Sequence, residues 1–149
     1  MSAVEDLIEG LVVGGLVLRS ELSGCSSAEI EEIRIDQGVP AIPAEYERYL
    51  RLAGRGAGAL LRGSDAFFPA LLGLKCDTAA LLDECGADVS LAADSLVIAM
   101  HQGYQAFWIP AVGAQKPEVV MFQEGAREIC RRWGGVADYL ETMASAIRC

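Results

Sequence analysis

At 149 residues, 52% of them hydrophobic, the chain has material for one compact domain spanning residues 1–149 around one core. Lysine and arginine number 12 against 21 aspartates and glutamates, and the net charge of -9 excludes a surface that gathers phosphate backbones by counterion release. Nucleic acid is therefore not an expected partner, whereas a basic protein would be steered toward so acidic a chain.

Ser2 and Glu5 have capping-box spacing, and Val4, Leu7, Ile8, Leu11 and Val12 then recur with the period of an amphipathic helix ending near Arg19. Its run LIEGLVVGGLVL, residues 7–18, is shorter than the ~20 apolar residues of a membrane span and contains Glu9, so it predicts a buried helix. Glu5 and Asp6 stand where a secretory signal carries positive charge, and the cytoplasm is the expected location. A second capping box, Ser26 with Glu29, opens a helix that turns Ile30 and Ile33 inward and stops at Gly38. Pro43 suits the first position of a third helix, with Tyr46, Tyr49, Leu50 and Ala53 on its apolar face and a Glu47–Arg51 pair outside.

Residues 54–69, GRGAGALLRGSDAFFP, read as a loop with a short strand, and residues 78–85 as a short helix capped by Thr78 with Leu81 and Leu82 inward. From Ser95 the pattern changes to SLVIAM, YQAFWI and EVVMF, three strands of an antiparallel sheet. REICRRW is a fourth, with Ile129 and Cys130 offered to the core. Val136, Tyr139, Leu140, Met143 and Ile147 close the chain on an amphipathic helix. This order predicts an α+β fold in which an antiparallel sheet of about four to six strands packs against N-terminal helices and a C-terminal helix.

The cysteines Cys25, Cys76, Cys85, Cys130 and Cys149 form no C-x-x-C pair and read as reduced thiols. No metal site and no cofactor are expected. GRGAGA formally satisfies G-x-G-x-x-A, but it follows a helix where a dinucleotide-binding turn must follow a strand, so it reads as a plain glycine loop. His101, the only histidine, has no nucleophile elbow or metal motif to serve. In MHQGYQ, Gln102 and Gly103 fit a two-residue hairpin with His101 facing Tyr104, and the following strand delivers Phe107 or Trp108 to the core. No catalytic residue is assigned. The candidates for contact with a protein partner are His101, Gln102 and Tyr104 at the turn and the acidic group Asp83, Glu84, Asp88 and Asp94.

GCSSAEIEEI, the helix GVPAIPAEYERYL, the strand pair SLVIAMHQGYQAFWI, then EVVMFQEG and WGGVADYL follow one another over residues 24–143. In this order they resemble the Smi/Knr family of the SUKH superfamily, known from bacterial immunity proteins and fungal cell-wall-assembly regulators. The Asn-Gly-Gly often seen after the I-P helix is here Ala53-Gly54-Arg55-Gly56, a departure from the pattern. The resemblance implies an α+β domain that binds a protein and is not an enzyme. Its partner would be a toxin domain that it neutralises. The alternatives are a regulatory scaffold binding a housekeeping protein, and an enzyme built on His101.

Overall fold

The computed structural model describes residues 2–148, so Cys149 lies outside the described residues. Helix α1 (Ala3–Val13) leads through a 3-10 turn to β1 (Leu22–Ser23), α2 (Ser27–Gln37), α3 (Ala44–Ala53), β2 (Gly56–Ala57) and β3 (Ser64–Asp65). Then come α4 (Leu74–Glu84), β4 (Leu96–His101), β5 (Gln105–Ile109), β6 (Val119–Gln123), β7 (Arg131–Trp133) and α5 (Val136–Arg148). The fold is α+β. Strands β3 to β7 form a five-stranded antiparallel meander in chain order, and β1 pairs with β2 apart from it. No helix among the described residues is long and apolar enough to cross a membrane.

The starts of α1 and α2 follow the sequence closely. Ser26 accepts from the Glu29 N–H at 3.2 Å while Glu29 accepts from the Ser26 N–H at 2.9 Å, a complete capping box. Ser2 accepts from the Glu5 N–H in the same way, but it is the Ser2 hydroxyl that donates to the Glu5 carboxylate. Gly38 ends α2 in the left-handed conformation, with φ 69°.

Four local expectations are corrected. The first helix ends at Val13, not near Arg19, because Gly15 turns the chain at φ 76°; Val13 and Leu18 are exposed, so residues 7–18 are not one buried helix. Helix α4 begins at Leu74 with Gly73 at its cap, and Thr78 is a fully buried mid-helix residue whose spacing from Leu74, Leu81 and Leu82 places it on the apolar face. Cys130 is exposed and only Ile129 packs partly against the core, because β7 does not start until Arg131. The β4–β5 connection has three residues: Tyr104 N–H does reach the His101 carbonyl at 3.2 Å, yet the ladder pairs His101 with Gln105.

Both faces of the sheet are covered. Side chains alternate along a strand, so β5 sends Phe107 to one face and Trp108 to the other, and both are buried. Phe107 meets Tyr139 of α5 at 5.3 Å between ring centroids. Met100, on the opposite face from His101, lies with Leu81 beneath α4. Helices α1 and α3 pack on α5 from behind. Glu45 of α3 accepts from the Ala137 N–H at 2.8 Å, placing a carboxylate at the positive end of α5.

Behind this layer Cys25 is buried beside α3. Burial pushes its thiol from 9.0 up to about 11, with Glu29 adding to the rise and Arg55 opposing it. The unfolded chain therefore releases this proton first, so the contribution is intact below the ordinary thiol range and is lost as pH rises toward about 11. Thermal melts should show stability falling across that window, and Cys25→Ala should flatten the fall. An unchanged slope in the variant would assign the loss to other groups.

Candidate functional site

The β4–β5 hairpin separates two surfaces. On the α5 side a groove of about 330 Å³ runs between the sheet, α5 and the turn that precedes β3. Its floor is aromatic: Phe107, Trp133 and Tyr139 lie 5.2 to 6.0 Å apart by ring centroid. The Trp133 indole N–H donates to Thr142 Oγ1 at 2.9 Å, which ties β7 to α5 and fixes the ring. Half-buried Met121, Met143 and Ile147 form the walls.

The register explains how distant residues meet here. Phe107 pairs with Met121, Met121 with Arg131 and Gln105 with His101, so one face of four strands supplies the lining. Arg131 and Trp133 are two residues apart on β7 and share that face, with the guanidinium 4.9 Å from the indole centroid. Arg62 enters from the turn before β3, where Leu61 adopts φ 58° and is buried. Both arginines are exposed at the rim.

His101 lies in this groove, with its Nδ1 2.9 Å from Ser64 Oγ. A hydroxyl beside an imidazole is the start of a nucleophile–base pair. Here, however, Ser64 and His101 are directly opposed in the β3–β4 ladder, a register that brings their side chains together irrespective of any chemistry. Among the described residues the ring donates no hydrogen bond to a carboxylate; its other neighbour is Tyr104, edge-on at 5.7 Å. Among the described residues no three His, Cys, Asp or Glu side chains are grouped so that they could hold a metal ion.

The opposite surface is acidic. Asp65, Asp77 and Glu84 surround a shallow hollow of about 260 Å³ beside Met100 and Gly103. The four acidic candidates do not act as one group. Asp83 and Glu84 are exposed at the end of α4, and Glu84 alone of the four lines this hollow. Asp88 is paired with Arg127 at 3.2 Å, which holds its carboxyl below the ordinary range. Asp94 is half-buried in the loop before β4, where its charge acts on Lys75. Of the turn candidates, His101 enters the groove, Gln102 stands exposed at φ 52°, and Tyr104 packs its ring against His101.

Sequence reasoning did not single out Arg62, Ser64, Met121 or Arg131. For Arg131 a signal existed, since a three-residue strand ending in Trp133 must place Arg131 on the same face. For Arg62 and Ser64 none existed: their place depends on a two-residue strand in a glycine-rich stretch. Compared with known proteins, the chain matches no family model and no curated protein.

Proposed function

We propose that this chain is a non-enzymatic protein-binding domain of the immunity type, which neutralises a bacterial toxin domain by seating part of it in the groove between α5 and the sheet. The observation that carries this reading is the composition of the groove. Among the described residues its lining holds two arginines, a tryptophan, a tyrosine, a phenylalanine and two methionines, and no lysine, aspartate or glutamate. Enrichment in aromatic residues, methionine and arginine with depletion of lysine and carboxylates distinguishes the core of a protein interface from ordinary surface. The resemblance of residues 24–143 to the Smi/Knr pattern supports the same class of function. The β3–β4 register accounts for the Ser64–His101 contact, which supports a non-enzymatic reading.

Such an interface buries about 1,200 to 2,000 Å² in total, more than the groove itself, so the exposed hairpin tip at Gln102 belongs to its rim. Co-expression with toxin domains encoded beside the gene tests the reading. At least one should lose its toxicity and co-purify with the chain. Ala146→Trp, at an exposed position on the groove wall, should block entry without disturbing the core and abolish both effects. Full protection by Ala146→Trp, or no neutralised toxin among those tested, would rule the reading out.

A further inference from the structure

In a chain of net charge -9, arginines find carboxylates easily. Arg19, Arg34, Arg48, Arg51, Arg55, Arg127 and Arg132 each do so, with Glu9, Glu31, Glu5, Glu47, Glu29, Asp88 and Glu118 respectively. Among the arginines whose side chains are described, only Arg62 and Arg131 have no carboxylate within 4.0 Å, and both line the groove. Among the described residues no aspartate or glutamate lines it with them. The surplus of acid elsewhere makes this local pattern the reverse of the global one.

The surroundings keep these guanidiniums available. Trp133 supports Arg131 through its ring face, an interaction that uses none of the guanidinium N–H donors. Neither Arg62 nor Arg131 donates a side-chain hydrogen bond within the described residues. A planar fork of free donors beside an apolar floor suits a carboxylate attached to an apolar body, which satisfies the charge and the floor together.

We infer that the groove takes an acidic–apolar segment of its protein partner, with a carboxylate on Arg62 or Arg131 and an adjacent aliphatic or aromatic side chain on Phe107, Trp133 and Met143. This rests on the groove being the docking surface. It adds a sign to the recognition: the seated segment is acidic even where the rest of the partner is basic. Electrostatic selection of this kind favours one partner and rejects others by uncompensated charge.

The test uses the full chain and three acetylated, amidated peptides: Asp-Leu-Phe-Asp-Leu, the same peptide with Asn for Asp, and the same with Lys for Asp. Binding is followed by chemical-shift changes at Phe107, Met121 and Trp133. The Asp peptide should bind at least about tenfold more tightly than the Asn peptide, the scale of one lost charge-assisted hydrogen bond. That preference should disappear in Arg62→Gln/Arg131→Gln and weaken as salt rises from about 0.05 to about 0.5 M. Equal or tighter binding of the Asn or Lys peptide, or no shifts with any of them, overturns the inference. So does displacement of the Asp peptide by decanoate with much higher affinity, which would assign the groove to a free amphiphile. The toxin complex separates the two readings. Loss with Ala146→Trp but wild-type affinity with Arg62→Gln/Arg131→Gln leaves docking in place and removes the acidic anchor.

Discussion

Replacing Gly24 with alanine is expected to cost about 3 kcal/mol or more of stability, among the largest effects a single methyl group produces. The added Cβ would lie 1.8 Å from the Arg51 carbonyl oxygen and 2.6 Å from its carbonyl carbon. Both are backbone atoms, so no rotamer change relieves the clash. The segments cannot separate either. Cys25 N–H donates to the Leu50 carbonyl at 2.8 Å, Arg55 N–H donates to the Ser23 carbonyl at 2.8 Å, and β1 is paired with β2. Gly24 is thus where the strand leading into α2 touches the end of α3. Urea denaturation gives the comparison, with Gly10→Ala as the control. Gly10 is exposed within α1, a Cβ there meets open space, and alanine should gain about 0.5 to 1 kcal/mol. A wild-type midpoint for Gly24→Ala would disprove this close approach.

Gln37→Ala should be the next most damaging change, at about 2 to 4 kcal/mol, because it strands a buried backbone donor and acceptor together. The edge strand β3 is two residues long and pairs only with Met100 and His101, so it does not reach the first half of β4. At Val97 the Gln37 side chain stands in for the missing strand: its Nε2 donates to the Val97 carbonyl at 2.8 Å, and its Oε1 accepts from the Val97 N–H at 3.1 Å. Gln37 is only 2% exposed, so water cannot take over. Lys75 reinforces the junction by donating to the carbonyls of Gln37 and Ala93, at 2.7 and 2.8 Å. Gln37→Leu keeps the volume but not the bonds and should be nearly as unstable as Gln37→Ala. Gln37→Glu should be unstable at neutral pH and recover toward low pH, since only the protonated acid donates to Val97. Equal stability of wild type and Gln37→Leu would show that the amide bonds contribute nothing.

The elements legible in the sequence were those specified by neighbours in the chain. The Ser26–Glu29 box, the Gly38 stop, the Tyr46–Tyr49–Leu50 stripe and the three long strands depend on periodicity and on caps within a few residues. Errors fell where a tertiary contact outweighed the local signal. Thr78 has the side chain of a cap, yet it is fully buried in the middle of α4 at helical spacing from Leu74, Leu81 and Leu82, and the helix begins a turn earlier. Gln102 and Gly103 mark the hairpin in the sequence, but its third residue follows from the register of the whole β4–β5 ladder. The unbroken apolar runs of β4 and β5 match their burial on both faces. A strand buried on one face alternates, and one buried on both does not.

By itself the sequence determined the α+β class, the Ser2 and Ser26 caps, the three long strands and the Tyr46–Tyr49–Leu50 stripe, because each follows from spacing along the chain. The tertiary structure alone decided the groove. Arg62, His101, Phe107, Met121, Arg131 and Met143 come from six separate stretches, and only the strand register and the docking of α5 through Glu45 and Trp133 bring them to one face. It also decided which charges are available. Composition counts acids and bases equally wherever they lie, whereas pairing across the fold neutralises Asp88 and leaves Arg62 and Arg131 open. Charge availability depends on distances between residues remote in sequence, and those distances exist only once the chain has folded.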